Sequence, residues 1–77
     1  MPAGTLAMLK IRLNGEPYEL PGAMTISALL THLDIDPRRV AVERNVLVVK
    51  RPQYETTPVE DGDEIEIVNF VGGGSGR

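Results

Sequence analysis

A chain of 77 residues with a formal net charge of −3 has room for one domain, and a chain this short buries roughly 60% of its unfolded surface, which leaves little protein to wall off a deep active site. The acidic balance, with Tyr18, Tyr54 and Phe70 as the whole aromatic set, argues against nucleic acid as a partner, which calls for a basic face and stacking platforms. The lack of cysteine removes disulfides, thiol nucleophiles and thiolate metal sites and leans towards a reducing, cytoplasmic setting; no apolar run is long enough to span a membrane.

The first stretch, Met1 to Ala7, lacks the basic start and apolar core of a signal peptide and is expected to be a flexible leader to a domain over residues 8–71. Leu9, Ile11 and Leu13 alternate with Lys10, Arg12 and Asn14, the period of a half-buried strand. Asn14-Gly15 is a strong hairpin signal because both residues tolerate positive φ. Glu16 to Leu20 is the returning strand, and Pro17 places it near an edge because proline donates nothing to a ladder.

Pro21-Gly22 breaks the pattern, and Thr25 is placed to cap a helix with its hydroxyl. Ile26, Leu29, Leu30 and Leu33 follow at i, i+3, i+4 and i+7, one apolar stripe of a short amphipathic helix. Asp36-Pro37 lies beyond its end. Two β-branched runs, Val40 to Arg44 and Val46 to Lys50, read as strands joined at Asn45. Pro52 to Pro58 reads as irregular, Asp61-Gly62-Asp63 as a turn, and Glu64 to Val71 as the last strand. A sheet with one helix packed across it is the simplest way to bury both apolar sets, which gives an α+β fold. Residues 72–77, Gly-Gly-Gly-Ser-Gly-Arg, read as a flexible tail, since each glycine loses much backbone entropy on ordering.

Few residues offer chemistry. His32, the one histidine, falls roughly 110° from the centre of the apolar stripe at about 100° per residue and reads as a solvated flank. Glu60, Asp61, Asp63, Glu64 and Glu66 lack the ligand spacing of a calcium loop; a turn and a solvated strand face account for them. No Ser/His/Asp grouping stands out, and the glycine run has no following helix with which to cradle phosphate. No catalytic residue, bound cofactor or metal site is expected.

The last strand carries more. Ile65 and Ile67 share one face; Glu64, Glu66, Val68 and Phe70 share the other. With the isoleucines in the core, Val68 and Phe70 point outward beside the carboxylates of Glu64 and Glu66, as in a docking patch; the competing arrangement is a bulge that tucks Phe70 inside. The glycines beyond suit either a linker or a tail that threads into another protein's active site, where absent side chains leave a terminal carboxylate unhindered. A carboxylate becomes an acyl donor once a partner enzyme converts it, with ATP, to an acyl-adenylate from which a sulfur nucleophile displaces AMP.

Val42-Glu43-Arg44-Asn45, Asp61 through Val68, Phe70-Val71-Gly72-Gly73-Gly74 and the opening Leu13-Asn14-Gly15-Glu16 resemble, in this order and spacing, the ThiS family of thiamin-biosynthesis sulfur carriers, ubiquitin-like proteins of the β-grasp fold. The resemblance covers Leu9 through Gly74. It implies that the first and last strands lie parallel in mid-sheet. It also implies that a ThiF-type enzyme adenylates the C-terminal glycine carboxylate with ATP, and that sulfur from a cysteine desulfurase or another donor makes a thiocarboxylate. Thiazole synthase (ThiG) then takes that sulfur. Gly73 and Gly74 match the family's terminal pair, with Gly74 as the acyl carrier. Family members finish at the glycines, whereas Ser75, Gly76 and Arg77 follow here. The alternatives are a carrier of another pathway, such as the small subunit of molybdopterin synthase, a ubiquitin-like modifier, or a β-grasp binding module whose tail is only a linker.

Overall fold

The computed structural model describes residues 8–70; the leader and tail expected at 1–7 and 72–77 lie outside them. Strand β1 (Leu9–Leu13) turns back into β2 (Glu16–Leu20). A two-residue strand β3 (Met24–Thr25) runs directly into helix α1 (Ile26–His32). Strands β4 (Val40–Arg44) and β5 (Leu47–Val49) form a second hairpin, followed by the short β6 (Pro58–Val59) and the last strand β7 (Glu64–Asn69). Five strands make one mixed sheet in the order β2-β1-β7-β4-β5, and β3 pairs with β6 separately. β7 is central, parallel to β1 and antiparallel to β4, which is the arrangement expected from the resemblance.

Both hairpins turn on an asparagine in the left-handed region. Asn14 and Gly15 have φ of 51° and 83°, and the register sets Leu13 opposite Glu16 and Arg12 opposite Pro17. The pair next to the closing pair of such a hairpin is not hydrogen-bonded, so Pro17 withholds nothing from β1, and β2 is indeed an edge. The second turn, Asn45-Val46, has φ of 52° and 75°. A β-branched residue is a conformational outlier there, and it shortens β5 to Leu47–Val49 against the longer run expected.

Helix α1 forms where its ends are satisfied. Its first three amides donate to the Thr57 carbonyl, the Tyr54 carbonyl and the Thr25 hydroxyl. The segment read as irregular thus supplies two helix caps, overlaps a 3-10 turn at Arg51–Gln53 and ends in β6. Its short pieces carry no periodicity long enough to read from sequence. At the other end Asp34 takes φ 62°, with Asp34 N–H on the Thr31 carbonyl and Ile35 N–H on the Leu30 carbonyl, the paired bonds that close a helix C-terminus. The stripe then packs on the sheet: Ile26, Leu29 and Leu30 are buried with Ile11, Leu20, Val40, Val42, Val49, Tyr54, Val59 and Ile65, and Leu33, Ile35 and Ile67 pack against them.

One carboxylate departs from the solvated reading. Asp63 is buried, and four donors converge on it: Arg44 Nε at 2.6 Å, Asn45 Nδ2 at 3.0 Å, the Glu60 amide at 2.8 Å and, more distantly, Arg44 Nη2 at 3.4 Å. Arg44 Nη2 also reaches Glu60 Oε1 at 3.3 Å. Burial pulls the Asp63 carboxyl upward; the bonds from Arg44, Asn45 and the Glu60 amide, with the Arg44 charge, outweigh it and hold the group below its ordinary value. Asp61 is also engaged, accepting from the Lys10 amide at 2.8 Å.

The Val46 turn and the Asp63 cluster each have a measurable consequence. Val46→Gly should relieve the left-handed penalty of a β-branched residue and raise stability by about 1 kcal/mol, read as a higher urea midpoint at unchanged slope. For Asp63, the folded pKa lies below the unfolded one, so the unfolded chain binds the proton first on acidification. Its contribution is fully present above the ordinary carboxylate value, about 4, and is lost as pH falls through the lowered folded value. Asp63→Asn should cost about 2–3 kcal/mol at pH 7, and the gap to the parent should close as urea titrations move below about pH 4.

Candidate functional site: the outer sheet face and the end of the last strand

Helix α1 covers one face of the sheet and leaves the other open to solvent. Along β7 the core face takes Ile65, fully buried, and Ile67, partly buried, while Glu64, Glu66, Val68 and Phe70 are exposed. Strand parity therefore gathers the four expected docking residues on the open face. Phe70 is 50% and Val68 54% exposed, so no bulge tucks the phenyl ring inside.

Neighbouring strands extend this face with residues not singled out above. Ala41 lies across from Val68 and Glu43 across from Glu66 on β4, and Val48 of β5 lies across from Glu43. Val48 is 66% exposed. Alternation within the run from Val46 to Lys50 was the signal that could have found it. An apolar group of Ala41, Val48 and Val68, with Phe70 just beyond the strand, thus flanks the facing carboxylates of Glu43 and Glu66 on one side. Such a like-charged pair is mildly unfavourable in a sheet and is tolerable because the face is open to water.

Phe70 closes the described chain. Its amide donates to the Arg39 carbonyl at 3.0 Å, which ties the end of β7 to the 3-10 turn Pro37–Arg39. That turn is capped by Asp36, which accepts from the Arg38 amide at 2.9 Å and its guanidinium at 3.1 and 3.2 Å. The Arg38 bonds hold the Asp36 carboxyl below its ordinary value. Arg38 and Arg39 therefore sit beside the point where β7 leaves the sheet. Gly73 and Gly74 lie outside the described residues.

Catalytic groupings are lacking among the described residues. No set of three or more His, Cys, Asp or Glu side chains is placed to hold a metal, and His32 is exposed. An open depression of about 620 Å³ lined by Ser27, Pro37, Arg51, Pro52, Tyr54 and Glu55 belongs to the helix cap and holds no acid–base pair. Among the described residues no helix is long and apolar enough to cross a membrane.

Comparison with known proteins agrees with this geometry. The ThiS family profile matches residues 11–74. The crystal structure of the thiamine biosynthesis protein ThiS from Geobacter metallireducens superposes with a TM-score of 0.76 at 33% identity, covering 86% of this chain and all of that one. The sulfur carrier protein ThiS of Bacillus subtilis is 42% identical over 50 residues, 65% of this chain and 76% of its own length. Thiazole synthase of Paramagnetospirillum magneticum is 48% identical over 67 residues, 87% of this chain; the chain spans about a fifth of that relative's length (21%). With a profile match over most of its length and a β-grasp sheet to carry it, this chain belongs to the ThiS family.

Proposed function

We propose that this protein carries sulfur for thiazole formation in thiamin biosynthesis, as a substrate of other enzymes and with no catalysis of its own. The observation that carries the reading is the open apolar face at the end of β7, placed immediately before the glycine run of a ThiS-family chain. The face supplies a grip; the glycines supply a thread thin enough for a narrow channel.

In this reading a ThiF-type enzyme docks on Val68 and Phe70, with Glu64 and Glu66 at the rim. Buried aromatics at an interface centre carry much of its binding energy, and rim charges act mainly on association rate. A carboxylate oxygen of Gly74 attacks the α-phosphorus of ATP and pyrophosphate leaves. A sulfur nucleophile from a cysteine desulfurase or other donor then displaces AMP from the acyl carbon, and the resulting thiocarboxylate serves thiazole synthase. That thiazole synthases from two bacteria contain a segment 48% and 46% identical to this chain supports the last partner. ATP binds the enzyme, and the only group borne by this protein is the thiocarboxylate itself.

Within the 77-residue sequence Gly74 is followed by Ser75, Gly76 and Arg77, so its carboxyl is a peptide carbonyl with no free carboxylate oxygen to attack ATP. Three further residues would also carry the reacting group up to about 10 Å past the site, where a 1 Å displacement already costs about 100-fold.

Two measurements test this. A chain ended at Gly74 should support ATP–pyrophosphate exchange by a ThiF-type enzyme, and the 77-residue chain should not; equal exchange by both, with intact mass unchanged, would sink the assignment of Gly74. In the same assay Phe70→Ala should raise KM for the carrier by about tenfold, consistent with about 1.4 kcal/mol of a central aromatic's contribution, with little change in the urea midpoint. A lower midpoint at normal KM would show that Phe70 serves the fold instead.

A further inference from the structure

Strand β1 stops two rungs into its pairing with β7. The parallel register joins Arg12 to Glu64 and Leu13 to Ile65, and the β1 chain then turns away at Asn14-Gly15. β7 runs on for four more residues to Asn69. Where β1 is missing, a recess of about 300 Å³ opens under the strand end, lined by the apolar Leu13, Leu33, Ile35, Val40 and Ile67 with Asn14 and Asn69. On that flank Asn14 continues the ladder past the end of β1: its backbone N–H donates to the Ile65 carbonyl at 2.9 Å, and its side-chain Oδ1 takes the place of the missing strand by accepting from the Ile67 amide at 2.8 Å. On the other flank the Arg39 carbonyl holds the Phe70 amide at 3.0 Å.

We propose that Asn14 is a positioning residue for the glycine tail: its side chain, acting as a surrogate rung of ladder, sets the direction in which β7 leaves the sheet. The proposal rests on the carrier reading for its functional consequence. Without the Oδ1 bond, the segment from Ile67 to Phe70 keeps its pairing with β4 and the Arg39 carbonyl but loses the Asn14 tie at Ile67. The strand end then samples a wider cone, and the chain enters the partner's site from a wider range of directions. Oriented attack suffers more than docking from such spread, so the loss belongs in kcat rather than in KM.

Asn45 provides an internal control. It bonds β7 in a matching way but at the opposite end, its Oδ1 accepting from the Glu64 amide at 2.9 Å. Both asparagines sit at positive φ, and glycine preserves that backbone. Asn14→Gly removes the side-chain bond at the exit end of the strand, whereas Asn45→Gly removes two at the entry end, to the Glu64 amide and to the Asp63 carboxylate, and so is the harsher loss of stability away from the tail; Asn14→Asp keeps an acceptor oxygen and tolerates the same turn.

The experiment uses all three variants and the parent, each ended at Gly74. Amide hydrogen exchange should quicken at Ile67 through Phe70 by at least about fivefold in Asn14→Gly, the worth of one net hydrogen bond, with Glu64 to Glu66 unchanged. Pyrophosphate exchange by the ThiF-type enzyme should show kcat lowered about tenfold or more at near-parental KM. Asn14→Asp should restore both, and Asn45→Gly should lose stability with parental kcat. Unchanged exchange at Ile67 through Phe70 in Asn14→Gly overturns the proposal, as does a kcat loss that merely follows stability in both glycine variants. If the parent itself supports no pyrophosphate exchange, the carrier reading fails, and the amide rates still decide whether Asn14 directs the strand end.

Discussion

Asp63 stands at the point where the chain enters its central strand. Its carboxylate draws together the end of β4 through Arg44, the second hairpin turn through Asn45 and the preceding loop through the Glu60 amide. Its own carbonyl accepts from the Arg12 amide at 2.9 Å, which starts the parallel pairing with β1. A parallel pair must be closed over a long loop before its contacts form, and a loop's entropic cost must be met by strong local bonds. Charge-assisted bonds of this kind are about twice as strong as neutral ones, and here they meet where β1, β4 and β7 converge. The Asp63 bonds thus tie together the three central strands, in the order β1-β7-β4, at the end where β7 begins.

The two turn asparagines complete the arrangement. Asn45 bonds both the amide and the carbonyl of Glu64, and Asn14 bonds the carbonyl of Ile65 and the amide of Ile67. Each can do so because an asparagine in the left-handed region points a short amide back along a neighbouring strand. The hairpins are thereby coupled to β7 from opposite sides. The exposed Val46 is the conformational cost of making the second of these turns without a glycine.

The face left over is the one on which the proposed docking rests. α1 takes up Ile11, Val42 and Ile65, so the residues between them in sequence turn to water. On β7 this exposes Val68 and Phe70 at the end that leads to the glycines and Glu64 and Glu66 at the other. In the proposed carrier role, this apolar group with carboxylates along the same strand would separate affinity from steering along a single element.

Much of this was legible from the chain alone. Period-two runs, the helical stripe, the capping Thr25 and the Asn14-Gly15 turn are local signals, and local signals survive in sequence because neighbours along the chain create them. The parity of Ile65 and Ile67 against Val68 and Phe70 is of the same kind, and the family resemblance rested on motifs that these elements contain. What only the tertiary structure decided involves partners far apart in sequence. Asp63 read as one solvated carboxylate among five until Arg44 and Asn45 were found folded over it, 19 and 18 residues away. The strands β3 and β6, two residues each, exist only because they meet each other, and the loop before β6 is ordered by caps it supplies to α1. The bond from Ile67 to Asn14 spans 53 residues. Whether a polar side chain is solvated or bonded depends on what the fold brings to it, and that information is held in the contacts and not in the residue.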